Sequence, residues 1–136
     1  MSLFDASAII NLCGEKKLDK LLEGWTLNLA FYELGNSIWK QVYVYNAIGT
    51  DEASIILDSL TEVFLKLKKP KKEDSLETLK IAVREGLTFY DASYIQASLE
   101  NGLTLVTDDK QLYRKSKKYV RVITTDELNS QLDEKK

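Results

Sequence analysis

Histidine is absent from this sequence. That absence removes a Ser-His-Asp triad, a Cys-His pair, a His-liganded zinc and any nuclease mechanism built on imidazole. Cysteine occurs once, at Cys13, so no internal disulfide can form. The stretch around it, SAIINLC, is apolar and helical in pattern, which marks Cys13 as a packed side chain rather than a reactive thiol. With no histidine and one thiol, a metal would find only oxygen ligands, a set that favours Mg²⁺ or Mn²⁺. A hydrolase made from this chain would work with carboxylates and a hard cation.

Long apolar runs are also missing. No stretch approaches the ~18 residues of a membrane span, and the N-terminus lacks the basic region and apolar core of a signal peptide. The expected location is cytoplasmic, with no membrane partner. Excess charge is missing too: the net charge of −2 argues against a broadly basic nucleic-acid coat and leaves room for local patches. With 136 residues, 44% of them hydrophobic, the chain can bury one core, and the expectation is a single domain over 1–136.

Short strand-like runs alternate with longer helical ones. Leu3–Phe4 end a first strand, and a helix runs from Ala6 to about Leu12. KKLDKLLE (16–23) is helical in spacing and closed by Gly24. The alternation of Trp25, Leu27 and Leu29 in WTLNLA (25–30) predicts a second strand. A helix follows to about Tyr45, with Leu34, Ile38, Trp39 and Val42 on one stripe. Residues 50–67 form a strong amphipathic helix, 68–74 a loop, 75–85 a helix closed by Gly86, and 91–101 a helix closed by Gly102. LTLVT (103–107) is a buried strand, 108–118 a short helix and VRVIT (120–124) a last strand, after which Thr124 and Glu127 form a capping box. Strands separated by helices predict an α/β fold, a three-layer α/β/α sandwich with a mainly parallel central sheet.

Such sheets bind ligands beyond the carboxyl ends of their strands, which directs attention to acids just after strands. Asp5 follows the first strand. Glu33 sits in the first turn of the helix expected after WTLNLA, Asp91 opens a helix in FYDASYIQAS, and Asp108 and Asp109 follow LTLVT. Each aspartate alone reads as a helix cap, a role contributing ~0.5–2 kcal/mol, and Glu33 alone as an ordinary helical polar residue. Brought together, the carboxylates would raise one another's pKa values, and a cation is the natural compensation. Ser7, Asn36 and Thr107 stand at short spacing from these acids and offer supporting polar groups.

FDASAII, YELGNSIW, TFYDASYIQAS and LVTDDKQL occur in that order. Together they resemble the four motifs of PIN-domain ribonucleases, and most closely those of the VapC-type toxins of toxin–antitoxin pairs. The resemblance spans about residues 2 to 124. It implies that Asp5, Glu33, Asp91 and Asp109 form an acidic metal-binding and catalytic quartet, that Ser7, Asn36 and Thr107 support it, and that Asp108 is a secondary candidate for the fourth position. It further implies a Mg²⁺- or Mn²⁺-dependent endoribonuclease, a protein antitoxin lying across the active-site groove, and a homodimer formed through apolar helices. VYVY (42–45) and the 50–67 helix are more apolar than one small core needs, although most of these residues are expected in the core.

Two basic clusters are candidates for holding RNA. One is Lys66, Lys68, Lys69, Lys71 and Lys72; the other, nearer Asp109, is Arg114, Lys115, Lys117 and Lys118. Two other phosphoryl-transfer families place an aspartate after the first strand, but this chain does not fit either. A haloacid-dehalogenase-type phosphatase needs a second aspartate where Ser7 stands, and a receiver domain needs a lysine where VRVIT is followed by Thr125 and Asp126. An RNA-processing nuclease that is not a toxin, and a PIN-like module that binds without cutting, remain as alternatives.

Overall fold

The computed structural model describes residues 1–134. Three short strands, β1 (Ser2–Phe4), β2 (Thr104–Val106) and β3 (Val122–Ile123), form a parallel sheet in the order β1-β2-β3. The register sets Phe4 beside Val106 and Val106 beside Ile123. All three strands therefore end at one edge, and the residues that follow them emerge side by side.

Among the described residues, eight α-helices surround the sheet: α1 (Ala6–Gly14), α2 (Asp19–Leu22), α3 (Leu29–Trp39), α4 (Thr50–Lys66), α5 (Ser75–Glu85), α6 (Phe89–Asn101), α7 (Lys110–Ser116) and α8 (Thr125–Glu134). The two-residue period of the strands divides the core between the faces of the sheet. Phe4, Val106 and Ile123 pack with Ile9 and Leu12 of α1, Leu34 of α3 and Phe64 of α4. Leu3, Leu105 and Val122 pack on the opposite face with Ile81 of α5, Tyr94 and Ile95 of α6, and Leu112 of α7. The outcome is the expected α/β/α sandwich.

Residues 25–30 depart from the expected second strand. Trp25 makes single parallel bridges to Leu3 and Lys68, and α3 already begins at Leu29. Leu27 is buried, as the alternation suggested, but Leu29 and Ala30 belong to the helix. One apolar alternation thus served a bridge and then a helix entry. The segment 16–23 is helical only over Asp19–Leu22. The helix expected to run to Tyr45 changes to π-helical winding over Lys40–Val44. Val42 packs against the core there, whereas Tyr43, Val44 and Tyr45 are exposed. Their expected place in the core is therefore corrected: the wider winding turns these residues outward. In α4, Ala53, Leu60 and Phe64 are buried, while Ile56 and Leu57 are only partly so. Cys13 is half-buried against the same core.

Gly24 lies over the ring of Phe4, where an added Cβ would collide. Gly24→Ala is expected to destabilise the fold by ~1–3 kcal/mol, the usual range for overpacking a fixed core ring. Denaturant titration against the parent measures it.

Candidate active site

Asp5 follows β1 directly and is the N-cap of α1, where its Oδ1 accepts from the Ala8 amide at 2.9 Å. Ser7 Oγ donates to the same oxygen at 2.7 Å, and Thr107 Oγ1 donates to Oδ2. The parallel register makes the Thr107 contact possible, because Thr107 is the residue after Val106, the partner of Phe4. These three donors leave about one of the roughly four lone-pair positions of the carboxylate free. Asp5 is only 5% exposed. Burial pushes its pKa up from 3.8 to about 6, against the pull of the Thr107, Ser7 and Ala8 hydrogen bonds, with a further upward push from Asp108.

Glu33 comes from the second turn of α3. Tyr94, 1% exposed on α6, donates its hydroxyl to Glu33 Oε1 at 2.5 Å. Burial raises the Glu33 pKa, the Tyr94 bond opposes it, and the charges of Asp5 and Asp91 add to the rise. Asp91 was expected to open its helix, but α6 begins at Phe89 and its N-cap is Thr88, whose Oγ1 accepts from the Asp91 amide at 3.1 Å. Threonine takes the capping duty, so the Asp91 carboxylate stands in the first turn without it. Burial, and then the charge of Asp109, raise its pKa. Asp109 is the N-cap of α7 and accepts from the Leu112 amide at 2.8 Å.

Asp5, Glu33, Asp91 and Asp109 all line one cleft of about 800 Å³ at the carboxyl edge of the sheet. Ser7 and Asn36 line it too, and Thr107 lies buried behind Asp5. Asp108 points elsewhere. Its oxygens accept from the amide and hydroxyl of Thr125, at 2.9 and 2.7 Å, and from Asn11 at 2.6 Å, which ties β2 to α8 and α1.

The second basic cluster does not line the cleft. Lys118 pairs with Glu85 at 2.6 Å, Lys115 donates to the Glu85 carbonyl, and Lys117 lies over the Tyr113 ring. In the first cluster, Lys69 donates to the last carbonyls of α4 and Lys68 lies over Trp25. The cation that does line the cleft is Lys40, at the start of the π-helical segment, together with the exposed rings of Tyr32 and Tyr90. None of these three stood out from the sequence. The i, i+4, i+8 spacing of Tyr32, Asn36 and Lys40 was the one signal available.

Among the described residues, no three acidic or thiol side chains stand close enough, as placed, to grip an ion between them. The donor set nonetheless suits a hard cation. It consists of four carboxylates, each keeping at least one oxygen position free of hydrogen bonds; beyond burial, neighbouring acids raise Glu33 (Asp5 and Asp91) and Asp91 (Asp109).

A family model described as PIN domain matches residues 2–118. The chain belongs to the PIN-domain family. Among relatives of this PIN domain, one described as exonuclease VapC9, from Pyrobaculum aerophilum, is 37% identical over 127 residues, covering 90% of each chain. Another from the same organism, described as ribonuclease VapC3, is 35% identical over 120 residues, which is 82% of this chain and 91% of the relative. The crystal structure of PAE2754 from Pyrobaculum aerophilum superposes with a TM-score of 0.81 at 33% identity, covering 97% of this chain and 96% of that one. The PIN domain described here is thus of the VapC type, as its four ordered motifs suggested.

Proposed function

We propose that this protein is a divalent-metal-dependent ribonuclease, the toxin of a toxin–antitoxin pair. The observation that carries this reading is the convergence of Asp5, Glu33, Asp91 and Asp109 on one cleft. Nuclease designations on both curated relatives support it. Asp5, Asp91 and Asp109 would hold Mg²⁺ or Mn²⁺, with Glu33 completing the set. When bound, such a cation lowers the pKa of an attacking water and stabilises charge on the phosphate.

The chain's own residues do the rest. Ser7, Thr107 and the Ala8 amide fix the Asp5 carboxylate in one rotamer. Tyr94 holds Glu33 by one oxygen, which leaves Oε2 free to take a proton from the attacking water. The raised pKa of Glu33 makes it a better proton acceptor than an exposed glutamate.

The test is RNA cleavage by the purified protein with Mg²⁺ or Mn²⁺. Cleavage should stop with EDTA and in Asp5→Asn, and cleavage that survives both contradicts the proposal. A closed circular RNA sorts the mode of attack, since the endoribonuclease that the motifs imply opens it and an exonuclease does not. A growth-arrest assay relieved by a co-expressed small partner protein separates the toxin from a processing enzyme.

Tyr94→Phe removes only the hydroxyl that holds Glu33. It is expected to lower metal affinity and cleavage by roughly 10–100-fold, the usual cost of losing a group that orients a ligand, with a small loss of stability. Mn²⁺ titration alongside the cleavage assay measures both.

A homodimer is also part of this reading. Where the resemblance pointed to helices such as 42–45 and 50–67, we place its surface on α5, along which Leu76, Leu79 and Val83 form an exposed apolar stripe at helical spacing. Val83→Glu is expected to give a monomer by sedimentation at micromolar concentration, where the parent sediments as a dimer.

A further inference from the structure

Four carboxylates and one lysine line the cleft. With one lysine among four carboxylates, side-chain cations supply little of the hold on an RNA backbone there. The cleft does offer aromatic faces. Tyr32 on α3 is 71% exposed and Tyr90 on α6 is 61% exposed, and both line it. They come from different helices, α3 and α6.

The Tyr32 ring is braced. Phe31 meets it edge-on, with centroids 5.2 Å apart and planes at 85°, and Phe31 in turn leans on Phe64 at 5.8 Å. Phe64 belongs to the core, so the exposed ring is anchored through two others to the interior. Beyond Tyr32, one helical stripe continues to Asn36 and Lys40, both on the cleft wall. The third tyrosine of the cleft, Tyr94, is buried with its hydroxyl engaged by Glu33 and has no free face.

We propose that Tyr32 and Tyr90 are base-stacking platforms at the mouth of the acidic cleft, with Lys40 as the phosphate contact of the same track. A ring exposed in this way can take the face of an unstacked base. Stacking is neutral, so it supplies affinity that the acids do not oppose. The proposal rests on the ribonuclease reading for the identity of the nucleic acid.

The test uses Asp5→Asn, in which cleavage is expected to fall, and fluorescence anisotropy with a short unstructured RNA in EDTA. Tyr32→Ala and Tyr90→Ala are each expected to weaken binding roughly 5- to 100-fold, and Tyr→Phe at either position to restore it. An RNA of the same length with abasic riboses should bind the alanine variants and their parent alike. Lys40→Gln is expected to reduce the slope of log affinity against log salt by about 0.7. Unchanged RNA affinity in both alanine variants overturns the proposal and hands the aromatic mouth to a protein ligand. An equal loss on normal and abasic RNA overturns it as well. Metal-dependent cleavage by the parent is read separately, so absent cleavage with tyrosine-dependent binding sinks the nuclease reading and leaves this one standing.

Discussion

Asp5→Asn is expected to reduce RNA cleavage by roughly 10²–10³-fold, the rate equivalent of a few kcal/mol of transition-state stabilisation. The same substitution is expected to stabilise the metal-free protein at neutral pH. Asp5 is buried, and burial lifts its pKa from 3.8 to about 6. The folded state therefore holds a proton on Asp5 that the unfolded state has released across that interval. Folding stability from this group is fully present below about 3.8 and is lost as pH rises to about 6. An asparagine keeps the cap to the Ala8 amide and the volume but carries no charge. It is expected to recover on the order of 1–3 kcal/mol at pH 7, and to flatten the decline between pH 4 and 6. Thermal melts of both proteins in EDTA across that range measure it. Loss of activity together with a gain in stability marks Asp5 as a site residue, because a residue that only caps would change neither greatly on replacement by asparagine.

The second large effect is metal-dependent stability. A cation that binds the folded cleft and not the unfolded chain stabilises by mass action, ~2.7 kcal/mol at a hundredfold excess over its Kd. For a domain of this size that is a rise of roughly 10 °C in melting temperature. The gain is expected with Mn²⁺ or Mg²⁺, to be reversed by EDTA, and to shrink toward pH 5. The direction with pH follows from the raised pKa values of Asp5, Glu33 and Asp91, since protonated carboxyls do not bind the ion. It should be largely absent in Asp5→Asn and in Asp91→Asn. Differential scanning calorimetry with and without chelator reads it directly.

The strand ends and their acids were legible because the chemistry is local. A short apolar run, an aspartate and small residues suffice to write a strand, a cap and a helix start, and both Asp5 and Asp109 do cap. Capping and membership of the cleft are compatible, because a cap occupies one lone pair and leaves others. Local pattern alone does not separate Asp108 from Asp109; only the resemblance ranked Asp109 first. Their difference depends on Thr125 and Asn11, distant residues that draw Asp108 away. Tyr94 was not singled out from the sequence: it is buried in the core with its hydroxyl on Glu33, and no pattern reports a hydroxyl's direction. The strand expected at 25–30 failed because alternation over so short a run does not distinguish a bridge with a helix entry from a strand. The basic run 114–118 looked close to Asp109 along the chain, yet Glu85 of α5 claims two of its lysines. Lys40 was passed over because a single lysine in a helix carries no signal until the fold turns it toward the acids.

A crystal of the protein soaked in Mn²⁺ and measured at the manganese absorption edge tests the central claim most directly. Anomalous density in the cleft, within ligand distance of Asp5 and of at least two among Glu33, Asp91 and Asp109, is the expected result. A cleft without density at millimolar Mn²⁺, or an ion held by other residues, would contradict it.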